Sequence, residues 1–256
     1  MRHIKNQSGG NMKIHVTKNA RELGVCAGAH IASLLREAIK EKGAARLLLS
    51  TGASQFETLS QLVKENVDWS KVEVFNLDDY VGMSEKHKAC FRRYLKTRFI
   101  SKIKNLKAAY LVDGEGDVDA NIAALTKEMA KAPIDVGVIG IGENGHIAFN
   151  DPPADFATKK TYFVVTIDKK CRQQQVREGW FKTFEEVPPK AITITPYGIM
   201  KCRHIISSVP HTVKAEAVIN TLTRKVSPAI PASLLKTHPD WNLYIDANSA
   251  AKVFPA

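Results

Sequence analysis

The sequence predicts an α/β fold built on a single open, mostly parallel sheet with helices on both faces. Two observations carry this. Short apolar runs alternate along the chain with longer stretches of helical periodicity, which implies crossover units. The runs are also continuously apolar, as in Arg46-Leu47-Leu48-Leu49-Ser50, the pattern of a strand buried on both faces.

In chain order, Met12 to Val16 reads as the first strand. Leu23, Ala27, Ile31, Leu34, Leu35 and Ala38 share one helical face, so residues 19–42 form an amphipathic helix that Gly43 stops. Arg46 to Ser50 is the second strand, Gln55 to Glu65 a helix, and Val72 to Leu77 the third strand. Further strands are predicted at Ala109–Val112, Ile134–Ile141, Tyr162–Ile167, Ala191–Thr195, His204–Ser208 and Leu243–Asp246. Helices are predicted at Asp117–Ala130, Lys169–Trp180, Val213–Leu222 and Ala232–Thr237.

The chain has 256 residues, of which 44% are hydrophobic and 25% charged, which excludes a disordered tail, a collagen and a disulfide-stapled miniprotein. Residues 1–11 read as a polar extension and 12–256 as one domain. The net charge of +11 favours anionic partners through its field. Arg92, Arg93, Lys96, Arg98, Lys102, Lys104 and Lys107 are basic but lack interleaved aromatics and a recognition-helix signature, so no nucleic-acid partner is expected. Cys26, Cys90, Cys171 and Cys202 are widely spaced, which reads as reduced thiols in a cytoplasmic protein without a zinc site. No apolar run is long enough to cross a bilayer. The sequence leaves association into a homo-oligomer open.

Ligands of open α/β sheets bind beyond the carboxyl ends of the strands, so the segments just after the strands matter most. Leu49-Ser50-Thr51-Gly52-Ala53-Ser54-Gln55 joins a strand to a helix. Small hydroxyl-bearing residues there can present backbone N–H groups to an anion, or form a tight turn capped by Ser54. It is not a Walker loop, because no Gly-Lys-Ser or Gly-Lys-Thr is present. In Phe75-Asn76-Leu77-Asp78-Asp79-Tyr80-Val81-Gly82, neighbouring carboxylates face different ways, so one can serve as a general base while the other points elsewhere. The segment Gly140-Ile141-Gly142-Glu143-Asn144-Gly145-His146-Ile147-Ala148-Phe149-Asn150-Asp151-Pro152 places a histidine among glycines that permit close backbone approach. His146 has the titration range of a proton shuttle, and Asp151 can orient its ring. Lys214 starts a helix after a strand, where its charge can meet a phosphate. The polar run Cys171 to Arg177 reads as an exposed helix face.

Together the Asp78 and His146 segments resemble the glucosamine-6-phosphate deaminase (isomerase) family, kin to the 6-phosphogluconolactonases. The order of Ser50-Thr51-Gly52, Asp78, His146 and Lys214 fits as well, and the likeness runs from about Ile14 to Asp246. The resemblance implies a Rossmann-like fold. It also implies an enzyme that opens an amino-hexose 6-phosphate ring, moves a proton between C2 and C1, and releases ammonia to give fructose 6-phosphate. On that likeness Asp78 is the C2 proton acceptor, His146 opens the ring, and Asn144 and Asp151 orient and tune it. Ser50, Thr51, Gly52, Ala53, Ser54 and Lys214 grip the phosphate, and no metal or organic cofactor is required. Arg172 is the nearest candidate for the family's phosphate arginine, although ungapped counting lands on Gln175. Asn144 stands where many members have Asp, which makes His146 less basic. Asp151 stands where Glu is usual, so its reach shortens by at most about 1.5 Å. Ala53 replaces a Gly and Gln55 a Pro. Residues of the family's allosteric phosphate site are not matched. Ile-Ala-Phe-Asn-Asp after the histidine is deaminase-like, whereas lactonases usually carry Thr-Ala-Ser-Leu-Phe. Lactone hydrolysis and sugar-phosphate binding without turnover are the alternative readings.

Overall fold

The computed structural model describes residues 11–254. The expected extension therefore lies, but for Asn11, outside the described residues. Seven strands form the main sheet: β1 (Met12–Thr17), β2 (Ala45–Leu49), β3 (Val72–Asn76), β5 (Ala108–Tyr110), β6 (Val136–Val138), β9 (His204–Val209) and β10 (Trp241–Asp246). Their order is β1-β10-β9-β6-β2-β3-β5, and every pairing is parallel.

Both faces are covered, as continuously apolar strands demand. On one face α1 (Ala20–Lys42), α2 (Phe56–Leu62) and α3 (Phe91–Arg98) enclose Leu47, Leu49, Val74, Val136, Val138 and Ile206. Asn19 caps α1 by accepting from Glu22 N–H, and Gly43 ends it by donating to the Ile39 carbonyl. On the other face α4 (Val118–Ala130) and α7 (Ala215–Thr223) enclose Leu48, Phe75, Ile205, Leu243 and Ile245.

Two predicted strands do not join the main sheet. β8 (Lys190–Ile194) pairs antiparallel with β7 (Tyr162–Thr166) on one side and β4 (Asp78–Tyr80) on the other in a separate three-stranded sheet. The two sheets meet at Leu77, whose N–H donates to Leu49 O and whose carbonyl accepts from Ile194 N–H. Ile134–Ile141 also forms a shorter strand than its apolarity predicts, because Ile139 and Ile141 are buried by core packing while the chain turns out of the ladder toward the site. Helix α5 (Lys169–Arg177) stops short of Trp180, and Pro231–Thr237 makes 3-10 turns instead of an α-helix. Two short helices, α6 (Pro196–Ile199) and α8 (Ala247–Ala250), complete the fold.

The chain runs outward from β2 through β3 to β5, then returns to β6 beside β2 and continues to β9 and β10. The direction of winding thus reverses between β2 and β6, and a crevice opens at their carboxyl ends.

Candidate active site

That crevice is a cleft of about 600 Å³ lined by Ser50–Ser54 after β2, Leu77 and Asp78 after β3, Gly140–Gly142 and His146 after β6, and Lys214 after β9. Four segments far apart in sequence thus converge on one hollow.

Ser50 is buried, and its Oγ has no hydrogen-bond partner among the described residues. Gly52 adopts φ 97°, a conformation that side chains resist, and its carbonyl accepts from Tyr94 Oη at 2.9 Å. No side chain caps the turn Ala53–Gln55 that starts α2. Ser54 does not cap it; its Oγ accepts from Gln55 Nε2 at 3.0 Å. The loop therefore offers an unpaired hydroxyl and an uncapped helical turn to an anion. Lys214 reaches the same cleft from the 3-10 turn Thr212–Lys214. It is 6% exposed, and its ammonium makes no hydrogen bond or ion pair among the described residues. Burial pulls its pKa below the ordinary lysine value, so an anion placed there would recover lost solvation.

Asp78 and Asp79 separate as alternation in a strand requires. Asp79 is fully buried and accepts from the N–H groups of Tyr80, Phe91 and Arg92, from Cys90 Sγ and from Arg92 Nε. It anchors the start of α3. Asp78 lines the cleft, and the Phe149 N–H, which donates to Thr193 Oγ1 at 3.0 Å, offsets its burial only slightly. Burial, and then the Asp79 charge, push its pKa well above the ordinary value. Such a carboxylate is a stronger base than a solvated one.

His146 sits on a tight return in which Gly142 N–H donates to the His146 carbonyl at 2.9 Å. A Cβ at position 142 would lie 2.1 Å from the imidazole, so only glycine lets the ring lie against the backbone. Nδ1 is 2.6 Å from Asn144 Oδ1 and 3.3 Å from Asp151 Oδ1. Asn144 Oδ1 also accepts from His146 N–H at 3.1 Å, and Asn144 Nδ2 donates to Asp151 Oδ1 at 3.3 Å. These contacts orient the amide with its oxygen toward the ring. Nδ1 must then carry the proton, which leaves the Nε2 lone pair for the cleft. Asp151 is held in turn by Asp168 N–H at 2.9 Å. Burial, and next the Lys214 charge, push the His146 pKa down to about 4.

The structure brings Ser50, Thr51, Gly52, Ala53, Ser54, Asp78, His146 and Lys214 around one cleft, with Asn144 and Asp151 behind the imidazole. It does not bring Arg172 there. The Arg172 guanidinium donates to the carbonyls of Phe184 at 2.8 Å and Val187 at 2.7 Å and lies 3.9 Å from the Phe184 ring centre. One helical turn on, Gln174, Gln175 and Glu178 line the cleft instead. The Glu178 carboxylate accepts from Gln174 Nε2 at 2.6 Å and from Trp180 Nε1 at 3.0 Å. Sequence reasoning took this run as an exposed face. Counting onto Gln175 was the one signal that pointed inward. Of the basic run after Cys90, Arg92 is consumed by Asp79 and Glu115, Lys96 by Glu85 and Lys107 by Glu73.

Comparison with known proteins agrees with this arrangement. Residues 18–242 match the profile of the family described as glucosamine-6-phosphate isomerases/6-phosphogluconolactonase. The chain belongs to this family. It is 34% identical to a glucosamine-6-phosphate deaminase of Lactobacillus delbrueckii subsp. bulgaricus over 94% of this chain and 99% of the relative. It is 33% identical to one from Thermoanaerobacter pseudethanolicus over 94% of this chain and 95% of the relative. Among solved structures, a monomeric glucosamine-6-phosphate deaminase superposes with a TM-score of 0.84 at 29% identity, covering 94% of this chain and 100% of the other. The 6-phosphogluconolactonase of Trypanosoma brucei has a TM-score of 0.78 at 16% identity, covering 94% and 98%, and shares the fold. No helix among the described residues is long and apolar enough to cross a membrane.

Proposed function

We infer that this member of the family is a glucosamine-6-phosphate deaminase. One observation carries the reading: a basic carboxylate, an imidazole with an open Nε2 and an unpartnered buried ammonium line the same cleft. The phosphate sits against Ser50–Ser54 and Lys214, and Gln175 supplies an amide where an arginine is absent. His146 Nε2 takes the proton of the anomeric hydroxyl and passes it to the ring oxygen, so the pyranose opens. Asp78 removes the proton from C2 and returns it to C1, giving a 2-imino ketose. Water then replaces nitrogen at C2 and leaves fructose 6-phosphate and ammonia. The transfers need only side chains already in place. We place the reaction in the cytoplasm, on a small hexose phosphate, with neither nucleic acid nor membrane as partner.

The test is direct. Purified protein given glucosamine 6-phosphate is expected to release ammonia and fructose 6-phosphate in equal amounts, with slow or absent hydrolysis of 6-phosphogluconolactone. Lactone hydrolysis without ammonia release would assign the other activity in the family's description, and binding without either product would make the chain a sensor.

A further inference from the structure

Behind the imidazole lies a group that the proposed reaction does not use. Cys171 is buried on α5, close behind the Asp151 carboxylate. His146, Asp151 and Cys171 each offer one donor atom, and the three atoms lie within 4.8 Å of one another. Nitrogen, oxygen and sulfur donors from three segments suit zinc, a borderline ion bound at about 2.0–2.3 Å. Those bond lengths in a tetrahedron put ligand atoms about 3.5 Å apart, so the group must contract by no more than about 1.3 Å. The His146–Asp151 separation of 3.3 Å needs no contraction. Asn144 Oδ1, 2.6 Å from Nδ1, or a water can complete the set.

Neighbouring residues Asn144, Gly145, Pro152 and Asp168 line a separate hollow of about 850 Å³. Glu143, Asp168 and Glu216 face it against Lys170. Glu143 is paired with Arg177 at 2.6 Å and Glu216 with Lys252 at 2.5 Å, so the field of this hollow is close to balanced and the site rests on its three donor atoms.

We propose that His146, Asp151 and Cys171 form an inhibitory zinc site. Binding is balanced by one proton: the Cys171 thiol gives its proton to solvent and ligates as thiolate. The His146 proton moves from Nδ1 to Nε2 as the metal takes Nδ1. Nε2 is then a donor and can no longer accept the sugar hydroxyl proton, so ring opening stops. The inhibition rests on the deaminase reading, whereas the metal site does not.

Untagged protein carrying Cys26→Ser, which removes the exposed thiol, is titrated with cobalt(II) and, separately, with zinc against a chromophoric chelator. One equivalent is expected to bind with a thiolate-to-cobalt charge-transfer band in the near ultraviolet. Cys171→Ser should abolish that band and weaken zinc binding at least about tenfold. Zinc should suppress ammonia release reversibly, with a chelator restoring it, and Cys171→Ser should keep its metal-free turnover while resisting zinc. Absence of the band, or zinc inhibition unchanged in Cys171→Ser, overturns the proposal. If the protein releases no ammonia at all, the cobalt band and chelator competition still decide the site, so the two readings fail separately.

Discussion

Replacing Asn144 with Asp puts a carboxylate where the amide oxygen now sits, 2.6 Å from His146 Nδ1. At an effective dielectric near 20, two unit charges about 4 Å apart interact by about 4 kcal/mol, or roughly three pH units at about 1.36 kcal/mol each. The new carboxylate would also face Asp151 Oδ1, which Asn144 Nδ2 approaches at 3.3 Å today. That like-charge contact raises its own pKa and discounts the gain to about one to three units. His146 should therefore rise from about 4 to between about 5 and 7. The sign follows from its role. The ring accepts a proton only when neutral, so activity falls as pH drops through its pKa, and raising that pKa moves the acid limb upward. The assay is ammonia release across pH, paired with an NMR titration of the His146 ring to separate it from ionisation of the substrate phosphate. A ring that titrates at the same or lower pH in Asn144→Asp would refute the assignment of Asn144 as the group that sets the imidazole's basicity. The same depression has a stability consequence. The unfolded state takes up a proton as pH falls below 6.5, while the folded ring resists until about 4. Folding thus loses roughly 3 kcal/mol across that window. In Asn144→Asp, denaturant titrations should show a smaller loss between the same limits.

The other predictions concern neighbouring residues. Asp78→Asn should abolish turnover by several orders of magnitude while leaving hexose-phosphate binding by calorimetry largely intact. It should also raise the melting temperature at pH 7 by about 2–4 °C for each kcal/mol no longer spent on the buried charge, because the folded state disfavours the ionised form. Gly142→Ala should cost at least about 100-fold in kcat, since the new methyl collides with the imidazole; an unchanged rate would show that the ring moves freely. Arg172→Ala should destabilise the fold by about 2–3 kcal/mol in urea titrations, by stripping two carbonyls of their donor, yet leave KM nearly unchanged. Gln175→Ala should do the opposite, raising KM for the phosphate ester with little effect on stability; equal effects from both would place Arg172 in the site after all.

Much of this molecule could be read along the chain because its cues are local. The face shared by Leu23, Ala27, Ile31 and Leu35 marks a helix wherever it packs. Asn19 and Gly43 punctuate its ends by hydrogen bonds within a few residues. Gly142 is needed because the His146 ring lies against its backbone, and Gly145 because the chain turns there at φ 83°, so both needs are written within four residues of the histidine. The separation of Asp78 from Asp79 follows from alternation, the resemblance assigns Asp78 to the cleft, and Asp79 instead holds the start of α3. Other features were out of reach. Tyr162–Thr166 and Lys190–Ile194 have the composition of buried strands, and nothing in it distinguishes parallel pairing in the main sheet from antiparallel pairing with each other and, for the second, with β4. Arg172 and Gln175 lie within one turn of the same polar helix, and a small difference in rotation about its axis decides which lines the cleft.

By itself the sequence determined the strand and helix alternation, the family resemblance and the segments that carry the chemistry. Backbone propensity and side-chain period act over a few residues, so they are written in a few residues. The tertiary structure alone decided that Lys214 is buried without a partner, that His146 donates through Nδ1 and stays open at Nε2, and that Arg172 turns to backbone carbonyls. Each of these depends on desolvation and hydrogen bonding among groups tens of residues apart or on the rotation of a helix against its neighbours. Such quantities exist only once the chain has closed around the cleft.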